Sequence, residues 1–281
     1  MKRSQDGGEV GSGAKRSQAG KARVAVVGCG SFGTAMARIV GASCAARPGQ
    51  FDPLVRVWAR RQSVVDEINE RHTNSQYLGE DCLIPENVVA TCDLREAVGE
   101  ATFIILAVPH EYLGATLPSL AAALGYDAAA GGGGDAACRP RCIVSLLKGL
   151  YWEGAGEGEG SIVPISNVIE RDLRAAVAAS SGGDASSGEQ AVEVAVLMGP
   201  NIYTEMAKDE FAEATVGYSG TVFGDQLKEL FTTEAFKVDL THDRVGVELA
   251  GALKVREGGR RGRVCTCEGH SHITPCSVEL N

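Results

Sequence analysis

The sequence of 281 residues has no long apolar run and no excess of positive charge. No stretch approaches the roughly 18 consecutive apolar residues that a membrane-spanning helix requires, so we expect no membrane partner. A formal net charge of -9 argues against a nucleic-acid partner bound through a broad basic surface. Residues 1–22 also lack an apolar stretch and contain Asp6 and Glu9, which argues against a secretory or mitochondrial leader. We interpret them as a disordered leader.

The nine cysteines lack the setting of a disulfide-stapled domain, because 44% of the residues are apolar and the chain can bury a sizeable core. Cys29 lies within a glycine-rich loop, where a disulfide would obstruct a ligand. Reduced thiols in the cytoplasm are the simpler interpretation. Five residues near the C-terminus carry donor atoms that zinc accepts, but their spacing matches no closed structural site, so we expect no metal. These residues are Cys265, Cys267, His270, His272 and Cys276.

Short β-rich runs alternate with helical stretches, which predicts an α/β fold with a doubly wound, mostly parallel sheet. The expected strands are apolar runs without period-two alternation, which is typical of strands buried on both faces. They cover residues 24–27, 55–58, 103–108, 143–147 and 192–198, and the expected helices cover 31–40, 63–71, 166–179, 225–232 and 245–254. Runs rich in glycine, serine and alanine predict flexible insertions near 127–137 and 180–190, with a similarly loose segment at 153–160.

A glycine-rich loop connects the first expected strand to the first expected helix. It consists of Gly28, Cys29, Gly30, Ser31, Phe32 and Gly33. Such a motif is weak evidence alone, since 36 residues of this chain are glycine, but its position between a strand and a helix is specific. Gly28 would make the tight turn, Gly30 would let the backbone approach a pyrophosphate, and Gly33 would allow close helix–strand packing. The helix N-terminus would add N–H groups and a positive dipole. Residues 24–58 are therefore predicted to form a dinucleotide-binding βαβ unit.

The second expected strand ends without the acidic residue that commonly binds the ribose 2′-hydroxyl of NAD. Its end reads Trp58-Ala59-Arg60-Arg61. The two arginines could meet a 2′-phosphate and favour NADP, or they could be solvated charges at the entry of a helix. The residues alone leave the choice between NAD and NADP open.

Several polar side chains follow later strands, and ligands of open α/β sheets bind outside the carboxyl ends of strands. Tyr112 is a candidate to stack near the nicotinamide or ribose, and His110 is either an acid–base group or a structural hydrogen-bonder. Lys148 either points into the same cleft or lies in solvent, and Asn201 follows another strand. Lys254 ends a small apolar helix, where a cation interacting with the helix dipole is the simplest interpretation.

Seven sequence blocks, in order between residues 24 and 254, together resemble NAD-dependent glycerol-3-phosphate dehydrogenase. The blocks are GCGSFGTAMA, RVWARR, FIILAVPHEYLG, SLLKG, ISNVIERDL, VLMGPNIYTEMA and FKVDLTHDRVGVELAGALK. The resemblance implies an N-terminal Rossmann-like domain, an all-helical substrate domain and a homodimer. It also implies an oxidoreductase of glycerol-3-phosphate and carbohydrate metabolism, which interconverts sn-glycerol 3-phosphate and dihydroxyacetone phosphate with NAD(H).

The same resemblance assigns roles to individual residues. By position, the glycine loop and Tyr112 match cofactor contacts, Tyr203 lies where the family has a small residue contacting NAD, and Arg60 lies where an aromatic residue is common. Lys148 matches a lysine that contacts the cofactor and the substrate. Asn201 lies in the active-site asparagine block, and Lys254 matches the catalytic lysine. A lysine can exchange the substrate hydroxyl proton if burial and a second cation pull its pKa toward neutrality, and Lys148 would provide that cation.

The resemblance stops after Lys254, where the family continues into a long helical domain. We therefore expect a C-terminally truncated member of the family, in which residues 23–243 form the dinucleotide-binding domain. Residues 244–255 would form only the first helix of the substrate domain, and residues 256–281 an atypical unstructured tail. The alternative function is an NAD-binding remnant with impaired catalysis.

Overall fold

A computed structural model describes residues 20–125, 140–156, 159–180, 192–220, 223–253 and 265–268, and its largest feature is an eight-stranded sheet with helices on both faces. The strands are β1 Ala22–Val27, β2 Phe51–Trp58, β3 Val88–Thr91, β4 Phe103–Leu106, β5 Arg141–Ser145, β6 Leu150–Gly156, β7 Glu159–Pro164, β8 Val192–Met198, β9 Ala212–Tyr218, β10 Phe236–Thr241 and β11 Cys265–Glu268. The helices are α1 Ser31–Ala46, α2 Gln62–Arg71, α3 Ser75–Leu78, α4 Leu94–Val98, α5 Leu113–Ala123, α6 Ile165–Ser180, α7 Tyr203–Ala207, α8 Gly224–Phe231 and α9 Arg244–Leu253, and a 3-10 turn covers His110–Tyr112.

The strand order of the large sheet is β10-β9-β8-β5-β4-β1-β2-β3. Its neighbouring strands pair in parallel except β8 and β9, which are antiparallel. From β3 to β8 the order is the one typical of dinucleotide-binding domains, with β8 as the sixth strand. The sequence-based prediction of a Rossmann-like, mostly parallel α/β sheet is thus confirmed. The strand order reverses between β1 and β4, and a ligand cleft is expected at that point.

All five expected strands are present, but two of them end earlier than predicted. The strand expected at 103–108 ends at Leu106, and the one expected at 143–147 covers Arg141–Ser145. In both cases the apolar run continues past the ladder into the segment that borders the cleft. Strands β3, β9 and β10 were not predicted, because a search for continuous apolar runs misses short and alternating strands. β10 alternates buried and exposed residues along Phe236–Asp239, as a strand with one covered face does.

The prediction of a loose segment at 153–160 is wrong. β6 and β7 form an antiparallel hairpin in which Tyr151 opposes Val163 and Trp152 opposes Ile162. Aromatic and β-branched residues in opposed positions favour strand pairing, and they outweigh the surrounding glycines. β11 pairs in parallel with β6, so four residues of the expected tail form a strand, and the rest of 256–281 lies outside the described residues.

Other expected segments fall mainly outside the described residues. These are the leader up to residue 19, the insertion near 127–137, and the insertion near 180–190 except Ser180, the last residue of α6. Within the described ranges, no helix combines the length and the apolar character that crossing a membrane demands.

The two faces of the sheet belong to separate apolar cores. Val24 and Val26 of β1 pack into the core that holds α1, α2 and α8, whereas Ala25 and Val27 pack into the core of α4, α5 and α6. This alternation along one strand places helices against both faces, so the central strands β1, β4 and β5 are buried on both sides. The N-terminus of α1 is thereby held at the carboxyl end of β1, beside the expected cleft.

The last described helix, α9, is anchored to the domain that precedes it. Its Arg244 donates to the carbonyl oxygen of Val194 (3.1 Å) and pairs with Glu170 (2.7 Å). Its Glu248 is fully buried and accepts hydrogen bonds from the backbone N–H of Ser166 (3.1 Å) and from the Ser166 hydroxyl. Glu248, from a distant part of the chain, therefore provides a hydrogen-bond acceptor for a backbone N–H in the first turn of α6.

The buried Glu248 carboxyl predicts a specific pH dependence. Burial raises its pKa above the ordinary value of 4.5, against the opposing effects of hydrogen bonds from Ser166 and Ile165 and of the Arg244 charge. The native state therefore keeps this proton over a pH range in which the unfolded chain has lost it, so the contribution of Glu248 to the free energy of unfolding falls as pH rises from about 4.5. We expect Glu248→Gln, which cannot ionise, to gain stability relative to the parent chain as the pH is raised.

Urea unfolding of both chains at several pH values between 4 and 7 measures this difference. Glu70→Gln, which removes an exposed carboxylate from α2, is the matched control. A stability difference for Glu248→Gln that is independent of pH, or that moves against the glutamine as pH rises, would contradict the assignment.

Candidate functional site

A cleft of about 880 Å³ opens at the carboxyl ends of β1, β2, β4 and β5. A cavity of this volume lies within the range typical of cofactor sites. Its walls include the glycine loop after β1, Arg60 after β2, Tyr112 after β4 and Lys148 after β5. The cleft is therefore located at the reversal of the strand order, where the fold predicts it.

The three glycines of the loop differ in what surrounds them. Gly28 has a positive φ of +111°, and a Cβ there would lie 2.6 Å from the carbonyl oxygen of Ala107. A Cβ on Gly33 would overlap the carbonyl oxygen of Gly28. A Cβ on Gly30 would instead meet nothing within 4 Å. Gly28 and Gly33 are thus required by the packing of the fold, whereas Gly30 leaves space open beside the loop, as expected for the approach of a pyrophosphate.

The loop is fixed by hydrogen bonds that the sequence reasoning missed. Asn74 is fully buried, and its Nδ2 donates to the carbonyl oxygen of Cys29 (3.1 Å) and to Oγ1 of Thr34 (2.9 Å). The Thr34 hydroxyl in turn donates to the carbonyl oxygen of Gly30 (2.9 Å). In sequence, Asn74 stands at the N-cap position of α3, but its side chain caps nothing there. Its position before a helix is the one local signal that could have drawn attention to Asn74, but that signal indicates a helix cap and not a residue that holds the glycine loop.

The thiol inside the loop carries no charge at neutral pH. Burial and, to a smaller extent, the nearby Cys92 raise the pKa of Cys29 to about 12. A thiolate at this place would repel a pyrophosphate, whereas the neutral thiol does not. Cys29 is therefore compatible with an anionic ligand at the loop.

The α1 helix begins within the loop, at Ser31, with Gly30 as its N-cap residue. Its first turn contains no acidic residue, and no side chain caps its N-terminus. A helix of 16 residues in this state presents N–H groups and the positive end of its dipole to the cleft. This arrangement can bind an anion such as a phosphate.

At the end of β2, the cleft is lined by two arginines. The guanidinium of Arg60 lies over the ring of Tyr112, 5.6 Å from its centre. Arg61 donates to Oε1 of Gln76 (2.5 Å) and lies 6.0 Å from the ring centre of Tyr77. These partners are neutral, so this end of the cleft carries two positive charges.

Lys148 lies on the wall of the cleft formed by the end of β5. Its Nζ is 5.9 Å from the centre of the Phe32 ring, which belongs to the glycine loop. Lys148 and the loop thus line the same space, as the sequence predicts, and the lysine brings positive charge to the end of the cleft away from β2.

The other predicted site residues fall into three groups. Those that line the cleft are Gly28, Cys29, Gly30, Phe32, Arg60, Tyr112 and Lys148, together with His110, whose Nδ1 lies 3.5 Å from a carboxylate oxygen of Glu111. Ser31, Gly33, Asn201 and Tyr203 do not line it: Ser31 begins α1, and Tyr203 begins α7 and is 38% exposed. Lys254, His270, His272 and Cys276 lie outside the described residues, and the side chains of Cys265 and Cys267 are likewise not described.

Asn201 has an unusual environment. Both polar atoms of its side chain, Nδ2 and Oδ1, are buried and have no hydrogen-bond partner among the described residues. It follows β8 through Gly199, where a Cβ would come within 2.7 Å of Nδ2. A buried amide without partners is costly, which is typical of a group that completes its bonds with a ligand or with further chain.

No group of three or more metal-binding side chains is assembled within the described part of the chain. The positively charged side chains of the cleft and the N-terminus of α1 can support a bound anionic cofactor.

Known proteins resemble this chain in sequence and in fold. The family model described as the NAD-dependent glycerol-3-phosphate dehydrogenase N-terminus matches residues 23–222. The chain is 33% identical over 243 residues to the probable glycerol-3-phosphate dehydrogenase 2 of Caenorhabditis elegans, covering 83% of this chain and 54% of the relative. It is 32% identical over 237 residues to the human cytoplasmic glycerol-3-phosphate dehydrogenase [NAD(+)], covering 83% of this chain and 57% of the relative.

Among solved structures, the glycerol-3-phosphate dehydrogenase of Saccharomyces cerevisiae superimposes with a TM-score of 0.65 at 27% identity. The match covers 83% of this chain and 60% of the yeast chain. This chain thus spans little more than half the length of the curated relatives that it matches.

The bonds of Asn74 predict how the glycine loop responds to its loss. Asn74→Ala removes both donors and leaves the carbonyl oxygen of Cys29 without this partner, which costs about 1–3 kcal/mol of stability. We expect amide hydrogen exchange to accelerate across residues 28–34, measured by mass spectrometry on the intact chain.

Asn69→Ala is the matched control, because Asn69 bonds the backbone of Ala90 through both ends of its amide and does not touch the loop. It should lower stability without changing exchange in the loop. Equal loop exchange in the two variants would show that Asn74 does not hold the loop in place.

Proposed function

Because the chain belongs to the NAD-dependent glycerol-3-phosphate dehydrogenase family, we propose that it binds NAD(H) in the cleft beside the glycine loop. The observation that carries this proposal is the environment of the loop glycines. At Gly28 and Gly33 the neighbouring backbone leaves no room for a side chain, whereas Gly30 faces open space at the N-terminus of α1. This is the arrangement that a pyrophosphate needs.

The residues that would hold the cofactor are distributed along the cleft. The backbone of the glycine loop and the first turn of α1 would bind the pyrophosphate. Arg60 and Tyr112 would flank one end of the dinucleotide, and Phe32 and Lys148 the other. Tyr203 would contact the cofactor only if α7 approaches the cleft more closely. When bound, NAD supplies the hydride acceptor for oxidation of an alcohol.

We propose that the reaction is the interconversion of sn-glycerol 3-phosphate and dihydroxyacetone phosphate, as the names of the relatives indicate. Lys148 would stabilise negative charge that develops on the substrate oxygen. We also propose that Asn201 contacts the substrate. Its buried amide, which has no hydrogen-bond partner among the described residues, supports this assignment. Lys254 would exchange the proton of the substrate hydroxyl, a role proposed from the resemblance of the block that ends at Lys254.

Domain arrangement and location are part of the same proposal. Residues 23–243 would be the dinucleotide-binding domain and residues 244–255 the first helix of the substrate domain, fixed to the preceding domain through Arg244 and Glu248. We propose a cytoplasmic location, which the cytoplasmic relatives support. The homodimer that the resemblance implies belongs to the full-length family.

A substitution at Gly30 tests the cofactor site without disturbing the fold. Gly30 has φ −73° and ψ −178°, which any residue adopts, and a Cβ there meets no atom of the chain within 4 Å. We expect Gly30→Ala to keep the thermal stability of the parent chain and to weaken NADH binding about tenfold to hundredfold, because charged hydrogen bonds from the backbone are lost. Titration by NADH fluorescence measures the dissociation constant.

Two further glycines serve as controls for this substitution. Gly49→Ala adds a methyl group in open space outside the cleft and should change neither stability nor binding. Gly33→Ala should destabilise the chain by about 1–3 kcal/mol, because its Cβ overlaps backbone. Unchanged NADH affinity in Gly30→Ala would refute the proposed cofactor position.

The reaction itself is tested by NADH oxidation with dihydroxyacetone phosphate. Turnover that Lys148→Met lowers about 100-fold or more, with NADH still bound, would support the assigned role of Lys148. NADH binding without any substrate-dependent oxidation would favour the alternative of an NAD-binding chain with impaired catalysis.

A further inference from the structure

The α9 helix runs in the same direction as β8, the strand beside it. At the start of the helix, Arg244 donates to the carbonyl oxygen of Val194, which lies near the start of β8. Near the end of the helix, Gly251 lies directly on Met198, the last residue of β8. The carboxyl end of α9 is therefore located at the carboxyl end of β8.

The same edge of the sheet carries the proposed substrate contacts. β5 and β8 are neighbouring parallel strands, so their carboxyl ends lie side by side. Lys148 follows β5 and Asn201 follows β8, each three residues after the strand ends. Lys254 continues the chain after Leu253, the last residue of α9. Three chain segments that supply proposed site residues thus leave their elements at one edge.

The contact between Gly251 and Met198 has no room for a side chain. A Cβ on Gly251 would lie 2.7 Å from Sδ, 2.8 Å from Cγ and 3.1 Å from Cβ of Met198. Rotation of the methionine could move Sδ and Cγ away, but its Cβ is fixed to the strand and the residue is buried. A larger residue at position 251 must therefore push the end of α9 away from β8.

The rest of α9 is held in place at two further points. A Cβ on Gly217 of β9 would lie 2.7 Å from Cα of Arg244, so the start of the helix is also packed closely on the sheet. Between the two close contacts, Glu248 accepts hydrogen bonds from Ser166. Positions 244, 248 and 251 follow helical spacing, so one face of α9 makes all three contacts. A displacement at Gly251 consequently tilts the carboxyl end of α9 rather than moving the whole helix.

We propose that Gly251 is a positioning residue for the reaction: by letting α9 approach Met198, it sets the distance from the end of α9 to the segments that follow β5 and β8. The inference rests on the proposed function, in which Lys254 exchanges the substrate proton beside Lys148. Such distances matter, because a misplacement of about 1 Å can lower a rate about a hundredfold. Gly251 does not line the cofactor cleft and acts only through the position of the helix end.

A size series at position 251 of the whole chain tests this role. Alanine and leucine both favour a helix over glycine, so Gly251→Ala and Gly251→Leu strain the contact without weakening α9 itself. NADH oxidation with dihydroxyacetone phosphate measures kcat. We expect kcat to fall about tenfold in the alanine variant and about a hundredfold in the leucine variant, while the dissociation constant of NADH changes by less than about twofold.

The pH profile separates a displaced proton donor from a loss of stability. When dihydroxyacetone phosphate is reduced, the acid must be protonated, so kcat declines above its pKa. Moving Lys254 away from the charge of Lys148 raises that pKa, because the repulsion between the two cations weakens. The decline should therefore move to higher pH in Gly251→Leu. A variant that is only less stable keeps the parent profile in its folded fraction.

Removal of the opposing side chain should restore the rate. In the double variant Gly251→Ala, Met198→Ala, the space left by the methionine accommodates the added methyl group. Its kcat should come within about threefold of the kcat of Met198→Ala alone.

Gly41→Ala is the matched control. Its Cβ would lie 2.6 Å from Cγ2 of Val88, which is an equally tight contact, but it joins α1 to β3, and neither of these carries a proposed substrate contact. Stability should respond to this substitution, whereas kcat and its pH profile should not.

The outcomes distinguish the positioning role from the proposed function. If Gly251→Leu keeps the kcat and the pH profile of the parent chain, the positioning role is wrong and the reaction stands. No recovery in the double variant, or an equal loss of kcat in Gly41→Ala, would also overturn it. If the parent chain does not oxidise NADH with dihydroxyacetone phosphate, the proposed reaction fails and the positioning role fails with it.

Discussion

The backbone contact between the glycine loop and the end of β4 determines where everything else in this site lies. Gly28 approaches the carbonyl of Ala107, and Gly33 lies on the carbonyl of Gly28, so closely that no side chain fits at either position. This contact brings the N-terminus of α1 directly over the ends of two central strands. The cleft, its anion-binding N–H groups and the positions of the flanking side chains all depend on that close approach.

The charge around this cleft is opposite in sign to the net charge of the chain. The chain as a whole is acidic, with a formal net charge of -9, yet the cleft walls carry Arg60, Arg61 and Lys148 and hold Cys29 as a neutral thiol. Cations concentrated in a cleft of an otherwise acidic protein attract a negatively charged ligand to that place and keep it from other surfaces. The local arrangement, rather than the total charge, decides which ligand the site favours.

The cofactor half of the molecule could be predicted from sequence because its signals are local. The strand, the glycine loop and the start of α1 are consecutive in the chain, and Gly28 and Gly33 each have a steric reason that a short motif expresses. Arg60, Tyr112 and Lys148 follow strand ends and needed only the parallel sheet to bring them together. The strand expected at 103–108 was too long because an apolar run does not reveal where a ladder of hydrogen bonds ends.

What the sequence did not reveal depends on contacts between distant residues. Asn74 looks like a helix cap, and only the fold shows that its amide bonds the loop at Cys29. The antiparallel pairing of β9 with β8 and the hairpin of β6 and β7 were missed because neither leaves a continuous apolar run. The substrate role of Asn201 is a prediction from resemblance, whereas the missing hydrogen-bond partners of its buried amide are visible only in three dimensions.

The link between Glu248 and Ser166 has a consequence for how the molecule opens. It joins two residues 82 positions apart, and the chain between them contains β8, β9 and β10 of the central sheet. Detaching α9 therefore exposes a buried carboxylate and uncaps α6 at once, so neither helix can fray from this junction independently of the other. We expect the junction and the strands between its two residues to open together in the native state, as one cooperative unit. The molecule thus ties its last described helix to the stability of its centre rather than leaving it as an appendage.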